Sequence, residues 1–129
     1  MGRSKMILVV DDEPVIAETL VTILNEFQDE FLAVGSTDIL DAYAIVRDMH
    51  PDLVLLDVAM PGTRGLEHAV EIRDRLHRQV LLITGHIAPA ILLNELGPGV
   101  KPFEYIQKPI HPVELIDRIR AITKHRSAA

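Results

Sequence analysis

Five short runs of apolar residues recur along the chain, and the segments between them place their apolar residues at helical spacing. The runs are Lys5–Val10, Phe31–Gly35, Leu53–Asp57, Val80–Thr84 and Phe103–Gln107. They are nearly continuous rather than alternating, the pattern of strands covered on both faces. Ile16, Leu20, Ile23, Leu24 and Phe27 mark a first helical stripe, and Ile39, Ala42, Ile45, Val46 and Met49 a second. A weaker third runs through Leu66, Ala69, Val70, Arg73 and Leu76, and the last carries Leu115, Ile116, Ile119 and Ile122. A shorter helix is expected from Pro89, carrying Ile91, Leu92, Leu93 and Leu96 and stopped by Gly97-Pro98-Gly99.

The punctuation agrees. Asp12-Glu13-Pro14 reads as a helix start with Pro14 at the first helical position, His50-Pro51 closes the second helix, and Pro112 opens the last. Five β–α units of this kind predict an α/β domain with a parallel sheet and right-handed crossovers.

Composition narrows the class. A chain of 129 residues is expected to be one domain, and 48% hydrophobic with 25% charged residues is ordinary for a globular protein. A formal charge of −6 argues against direct nucleic-acid binding, which runs on basic surface. There is no cysteine, hence no disulfide framework and no thiolate chemistry. No apolar stretch approaches the roughly 18–20 residues of a membrane span. Gly2 invites a myristoylation reading, which Met6 defeats where Ser or Thr is wanted. A cytoplasmic, unanchored protein is expected.

The chemistry sits at the strand ends. The first run meets Asp11-Asp12, the third ends on Asp57, the fourth on Thr84, and the fifth meets Lys108. In open parallel sheets ligands bind outside the carboxyl ends of the strands. Carboxylates crowded there repel one another, and a hard divalent cation such as Mg²⁺ is the usual remedy. An Asp carboxylate is also a nucleophile for forming an aspartyl phosphate, with Thr84 and Lys108 available to phosphoryl oxygens. Taken singly, each residue has a plain structural role. Asp12 caps a helix, Thr84 is a β-branched strand residue, Tyr105 a sheet aromatic, Lys108 an exposed strand-end charge, and Asp57 a turn initiator. All five plain roles would have to hold together.

In these residues the chain resembles the receiver domain of bacterial two-component response regulators. Asp11-Asp12-Glu13-Pro14 is similar to that family's acidic pair. Leu55-Leu56-Asp57-Val58-Ala59-Met60-Pro61-Gly62 with Gly65 is similar to its phosphoacceptor strand and loop. Ile83-Thr84-Gly85 resembles the switch hydroxyl, and Tyr105-Ile106-Gln107-Lys108-Pro109 the switch aromatic three residues before the lysine. The resemblance covers essentially the whole chain. It implies a flavodoxin-like, doubly wound five-stranded parallel sheet of order 2-1-3-4-5 with five helices, and a single receiver domain over 1–129 with its core at about 5–125.

By the same resemblance Asp57 accepts a phosphoryl group from a histidine kinase or histidine phosphotransfer protein. Asp12, Asp57 and the Ala59 backbone carbonyl ligate Mg²⁺, and Asp11 acts near the metal through water. Lys108 neutralises the phosphoryl charge, and its bond to Pro109 is expected to be cis. Thr84 and Tyr105 act as the switch that alters the face made by the fourth helix, fifth strand and fifth helix, for a downstream protein or a second copy to read. This is a regulatory phosphoacceptor rather than an enzyme turning over a substrate.

Three alternatives are weighed against it. A pseudo-receiver would lack part of the Asp12, Asp57, Thr84, Lys108 set, which is complete here. A haloacid-dehalogenase-type phosphatase needs an Asp-x-Asp after strand one, and a dinucleotide-binding domain needs Gly-x-Gly-x-x-Gly; the chain has neither. Lys101-Pro102-Phe103 imitates the lysine signature but follows Gly97-Pro98-Gly99 rather than a strand. The six histidines show no metal-ligand pairing; His86, two residues after Thr84, is read as a loop residue that can influence water access to the site. The segment from Pro89 to Lys101 departs from the family pattern, which usually closes the fourth helix with a shorter Gly-Ala-acid turn.

Overall fold

The structure, a computed structural model, describes residues 4–60, 64–85 and 99–127. Its elements alternate as the apolar runs require. They are β1 (Lys5–Val10), α1 (Pro14–Asn25), β2 (Phe31–Ser36), α2 (Ile39–Met49), β3 (Leu53–Asp57), α3 (Gly65–Val70), β4 (Gln79–Thr84), β5 (Glu104–Gln107) and α4 (Pro112–Ser127). The expected helix from Pro89 lies outside the described residues. All strand pairs are parallel, and the sheet order is β2-β1-β3-β4-β5.

Near-continuous apolar strands divide between two cores because successive side chains point to opposite faces. Ile7, Val9, Leu53, Leu55, Leu81, Ile83 and Ile106 pack with Leu20 and Leu24 of α1 and with Leu115, Ile116, Ile119 and Ile122 of α4. Leu8, Val10, Val54, Leu56, Val80 and Leu82 pack on the other face with Ala42, Tyr43 and Val46 of α2 and Leu66, Ala69 and Ile72 beside them. Strands β1 and β3 are buried along the residues where they pair, so neither face of the sheet centre meets water.

Two helical stripes shift from their expected course. The segment Glu71–Arg75 continues α3 as a π-helical turn, which rotates the register. Ile72 is therefore fully buried where the sequence period favoured Arg73. In α2, Met49 lies at the helix end and is half exposed, and Tyr43 takes a core position that the stripe did not include. Helix α2 ends on His50 in the left-handed region (φ 50°), as His50-Pro51 implied. Strand β5 begins at Glu104, one residue later than expected, because Phe103 turns into the α2–α3 core.

Gly65 sets how closely α3 can follow β3. A Cβ built on it would lie 2.5 Å from the Val58 carbonyl oxygen and 2.6 Å from the Val58 Cα. Both neighbours are backbone and cannot swing aside. Gly65→Ala is expected to destabilise the fold by about 1–3 kcal/mol, read as a lower urea midpoint at unchanged slope; an unchanged midpoint would refute the close approach.

Candidate functional site

The sheet order brings the ends of β1 and β3 together, with β4 and β5 following in sequence. One carboxylate oxygen from each of Asp11, Asp12 and Asp57 lies within 4.8 Å of the other two. Asp11 is fully buried and Asp57 only 3% exposed, while Asp12 is half-buried. The last residue of β3 continues the pleat of Leu53 and Leu55, so the Asp57 side chain falls on the α1–α4 side of the sheet. Thr84 continues the pleat of Val80 and Leu82 and falls on the other side.

Backbone groups hold the carboxylates in place. The Ala59 N–H donates to Asp57 Oδ1 at 2.9 Å, and the Glu13 N–H to Asp11 Oδ1 at 3.0 Å. Asp11 N–H in turn donates to the Ser36 carbonyl at 3.1 Å, anchoring the acidic turn to β2. The cap reading of Asp12 is not realised: the residue before α1 is Glu13, and no side-chain cap bond forms there. Pro14 begins α1 as expected.

One ammonium sits among these oxygens. Lys108 Nζ lies 3.3 Å from Asp57 Oδ2 and 3.2 Å from Asp11 Oδ2. It hydrogen-bonds Asp57, whereas its contact with Asp11 is an ion pair without a hydrogen bond, so Asp11 Oδ2 keeps no hydrogen-bond partner. The Lys108 N–H donates to the Thr84 carbonyl at 2.8 Å, extending the β4–β5 pairing one residue beyond the strand. The Lys108–Pro109 bond is cis, as expected. Lys101, the rival lysine, is exposed before β5 and has no part in the cluster.

Glu13 is the member that sequence reasoning passed over, since it served there only to mark a helix start. Its carboxylate reaches to 3.8 Å from Lys108 Nζ while remaining largely exposed. The available signal was its place directly after the acidic pair. Of the two residues expected to act as a switch, Thr84 is 1% exposed and its Oγ1 has no hydrogen-bond partner. Tyr105 is 37% exposed and packs outside the site. Ala59 contributes its N–H to Asp57. His86 lies outside the described residues.

Electrostatics follow from this packing. Burial raises the Asp57 carboxyl above its ordinary range, and the Asp11 charge adds to that; the Ala59 N–H and Lys108 oppose it. Lys108 is raised despite its own burial, because Asp57 and Asp11 both favour the ammonium. The group is short of positive charge. Oxygen donors and a buried, unbonded carboxylate oxygen suit a hard divalent cation.

Because the folded carboxyl of Asp57 is raised, its ionisation costs stability at pH values above that raised pKa. The deficit shrinks as pH falls through it and vanishes below the ordinary carboxyl value of 3.8. Asp57→Asn is therefore expected to raise the thermal midpoint in metal-free buffer at neutral pH, with the gain fading toward acid. A midpoint that falls at neutral pH would contradict this.

Comparison with known proteins agrees with the geometry. The family model described as response regulator receiver domain matches residues 7–120. The phosphate regulon transcriptional regulatory protein PhoB of Pseudomonas aeruginosa is 35% identical over 128 residues, covering 93% of this chain and 52% of that protein. The DNA-binding response regulator MtrA of Mycolicibacterium smegmatis is 34% identical over 115 residues, covering 89% of this chain and 49% of that protein. The chain thus spans about half the length of these curated relatives. A CheY-like response regulator receiver domain protein from Methanospirillum hungatei superposes with a TM-score of 0.81 at 24% identity, over 97% of this chain and 98% of that one, which bears on the fold. With the fold, the ordered strand ends and these matches in agreement, the chain belongs to the response regulator receiver domain family of two-component signalling.

Proposed function

We propose that Asp57 accepts a phosphoryl group from a phosphohistidine on a histidine kinase or histidine phosphotransfer protein. The observation that carries this is the pairing of Lys108 with the buried carboxylates of Asp57 and Asp11, beside a buried Thr84 Oγ1 that has no hydrogen-bond partner. One Asp57 carboxylate oxygen attacks phosphorus, and the phosphorus–nitrogen bond to the donor imidazole breaks. The donor ring carries a proton on its other nitrogen, so the imidazole leaves with that electron pair as the neutral ring. Lys108 holds the negative charge of the phosphoryl oxygens, and Thr84 donates its hydroxyl to one of them.

Asp12, Asp57 and the Ala59 carbonyl are the ligands assigned to Mg²⁺, with Asp11 acting through water. A bound Mg²⁺ supplies charge neutralisation for the phosphoryl oxygens and lowers the repulsion among the carboxylates.

Phosphorylation puts a phosphoryl group of roughly −1.5 to −2 charges where Asp57 carried a single carboxylate charge, and moves that charge outward from the strand end. Thr84 moves toward that charge and Tyr105 rotates from its exposed position into the space behind it. The face including β5 and α4 then changes its preferred conformation for a downstream protein or a second copy to bind. In this reading residues 1–129 act as one receiver module in the cytoplasm. The module regulates rather than turning over a substrate, with only slow loss of its own phosphate. The two relatives named above are a DNA-binding regulator and a transcriptional regulator, yet the net charge of −6 favours protein contacts over direct nucleic-acid contacts for this segment.

Incubation with acetyl phosphate and Mg²⁺, followed by intact-mass measurement, is expected to give a single phosphate adduct. Asp57→Asn abolishes it, and Asp12→Asn or chelation of the metal suppresses it. Lys108→Ala slows its formation by about a hundredfold. Absence of an adduct on the unaltered chain, with a donor shown to be active on another receiver, sinks the proposal.

A further inference from the structure

A second concave site lies at the other end of the sheet from the carboxylates. Gln79 and Glu104 begin β4 and β5, and both open onto a cavity of about 380 Å³. That volume falls within the range of small-ligand sites. Its apolar part is formed by Val80, Phe103 and Ile122, and its rim carries Arg73, His77 and Arg78.

The backbone is irregular where it builds this rim. The π-helical turn Glu71–Arg75 swings Arg73 over the Phe103 ring, with the guanidinium carbon 3.9 Å from the ring centroid. Arg73 is held there by the Lys101 carbonyl at 3.0 Å, and Asp74 at 2.8 Å balances its charge. His77 then adopts φ 57°, a left-handed conformation uncommon for a residue other than glycine. That turn sets His77, Arg78 and Gln79 consecutively on one cavity.

Two features there are uncommitted. Arg78 reaches the Pro51 carbonyl only at 3.5 Å and has no carboxylate partner among the described residues. Gln79 Oε1 is a buried acceptor without a hydrogen-bond partner, and the terminal amide torsion of glutamine is soft enough to turn its NH₂ donors to an acid group in place of that oxygen. Of the acids nearby, Asp74 is taken by Arg73 and Glu104 by Arg118 at 3.4 Å, and Asp52, which precedes Leu53 as Arg78 precedes its pairing partner Gln79, accepts the Met6 N–H at 2.8 Å.

We propose that this cavity binds an amphipathic organic anion, with an aromatic or aliphatic body on Val80, Phe103 and Ile122 and an acid group at His77 and Arg78. This site is separate from the one at Asp57 and does not depend on phosphorylation.

The test titrates naphthalene-2-sulfonate into the ¹⁵N-labelled chain, with inorganic sulfate and 2-naphthalenemethanol in parallel. Saturable shifts of the His77, Gln79, Val80, Phe103 and Glu104 amides are expected with the sulfonate, and clearly weaker binding of the other two. Arg78→Gln and His77→Asn, the latter chosen because Asn tolerates the left-handed backbone, each lower affinity by about two- to fivefold. Glu104→Gln raises it, a gain that misfolding cannot imitate. The proposal is overturned by shifts that do not saturate, or that centre on other residues. Equal binding by the neutral alcohol, or by all three variants, overturns it as well.

Discussion

Everything at the functional end of this molecule depends on one ammonium placed among carboxylates that repel one another. Lys108 stands 3.2–3.3 Å from Asp11 and Asp57, and both of those acids are nearly removed from water. Buried like charges cost free energy unless an opposite charge or a metal offsets them. A single lysine does not balance three acids, and the raised carboxyl of Asp57 records the shortfall. The site is thus built to gain from further positive charge. The lysine holds its place through the sheet itself, because its own N–H pairs with the Thr84 carbonyl. The residue that brings positive charge to the site is in this way bonded to the strand end that carries Thr84.

The pleat adds a division of labour. Asp57 lies on the α1–α4 side of the sheet, and Thr84 on the α2–α3 side. In the proposed function a charge added to Asp57 draws Thr84 from across the strand ends. The structure contributes to that proposal a buried Thr84 hydroxyl without a hydrogen-bond partner and an exposed Tyr105 ring. Membership of the receiver family gives this arrangement its context. Just ahead of β5, Phe103 fills the α2–α3 core and Arg73 stacks on it. Residues 101–103 are thereby tied to the π-helical turn after α3, and the rim of the second cavity follows from that packing.

Much of this was legible in the residues. The strands are visible because both faces are buried, so every position along them must be apolar, and β1 and β3 fall on the residues the runs indicate. Helix α4 buries all four of its stripe residues. The third helix was less legible, because one extra residue per turn moves every later side chain around the axis. No periodicity rule anticipates a π turn, and Ile72 rather than Arg73 entered the core as a result. Tyr43 was missed for a related reason: its core position is adjacent to the stripe, and its hydroxyl is satisfied by His68 Nδ1 at 2.7 Å on α3. That partner is invisible until the two helices are packed.

The sequence by itself determined the alternation of elements, the identity of the strand-end residues and their order along the chain. These follow from local rules of periodicity and punctuation, and from chemistry that a residue carries wherever it lies. Only the tertiary structure decided which of those residues touch. The order β2-β1-β3-β4-β5 joins Asp11 to Asp57, the pleat separates Asp57 from Thr84, and one Lys108 ammonium reaches both Asp11 and Asp57. Distance between chemical groups is a property of the packed sheet, and burial, which shifts charge and leaves hydroxyls unsatisfied, exists only once the two cores have closed over it.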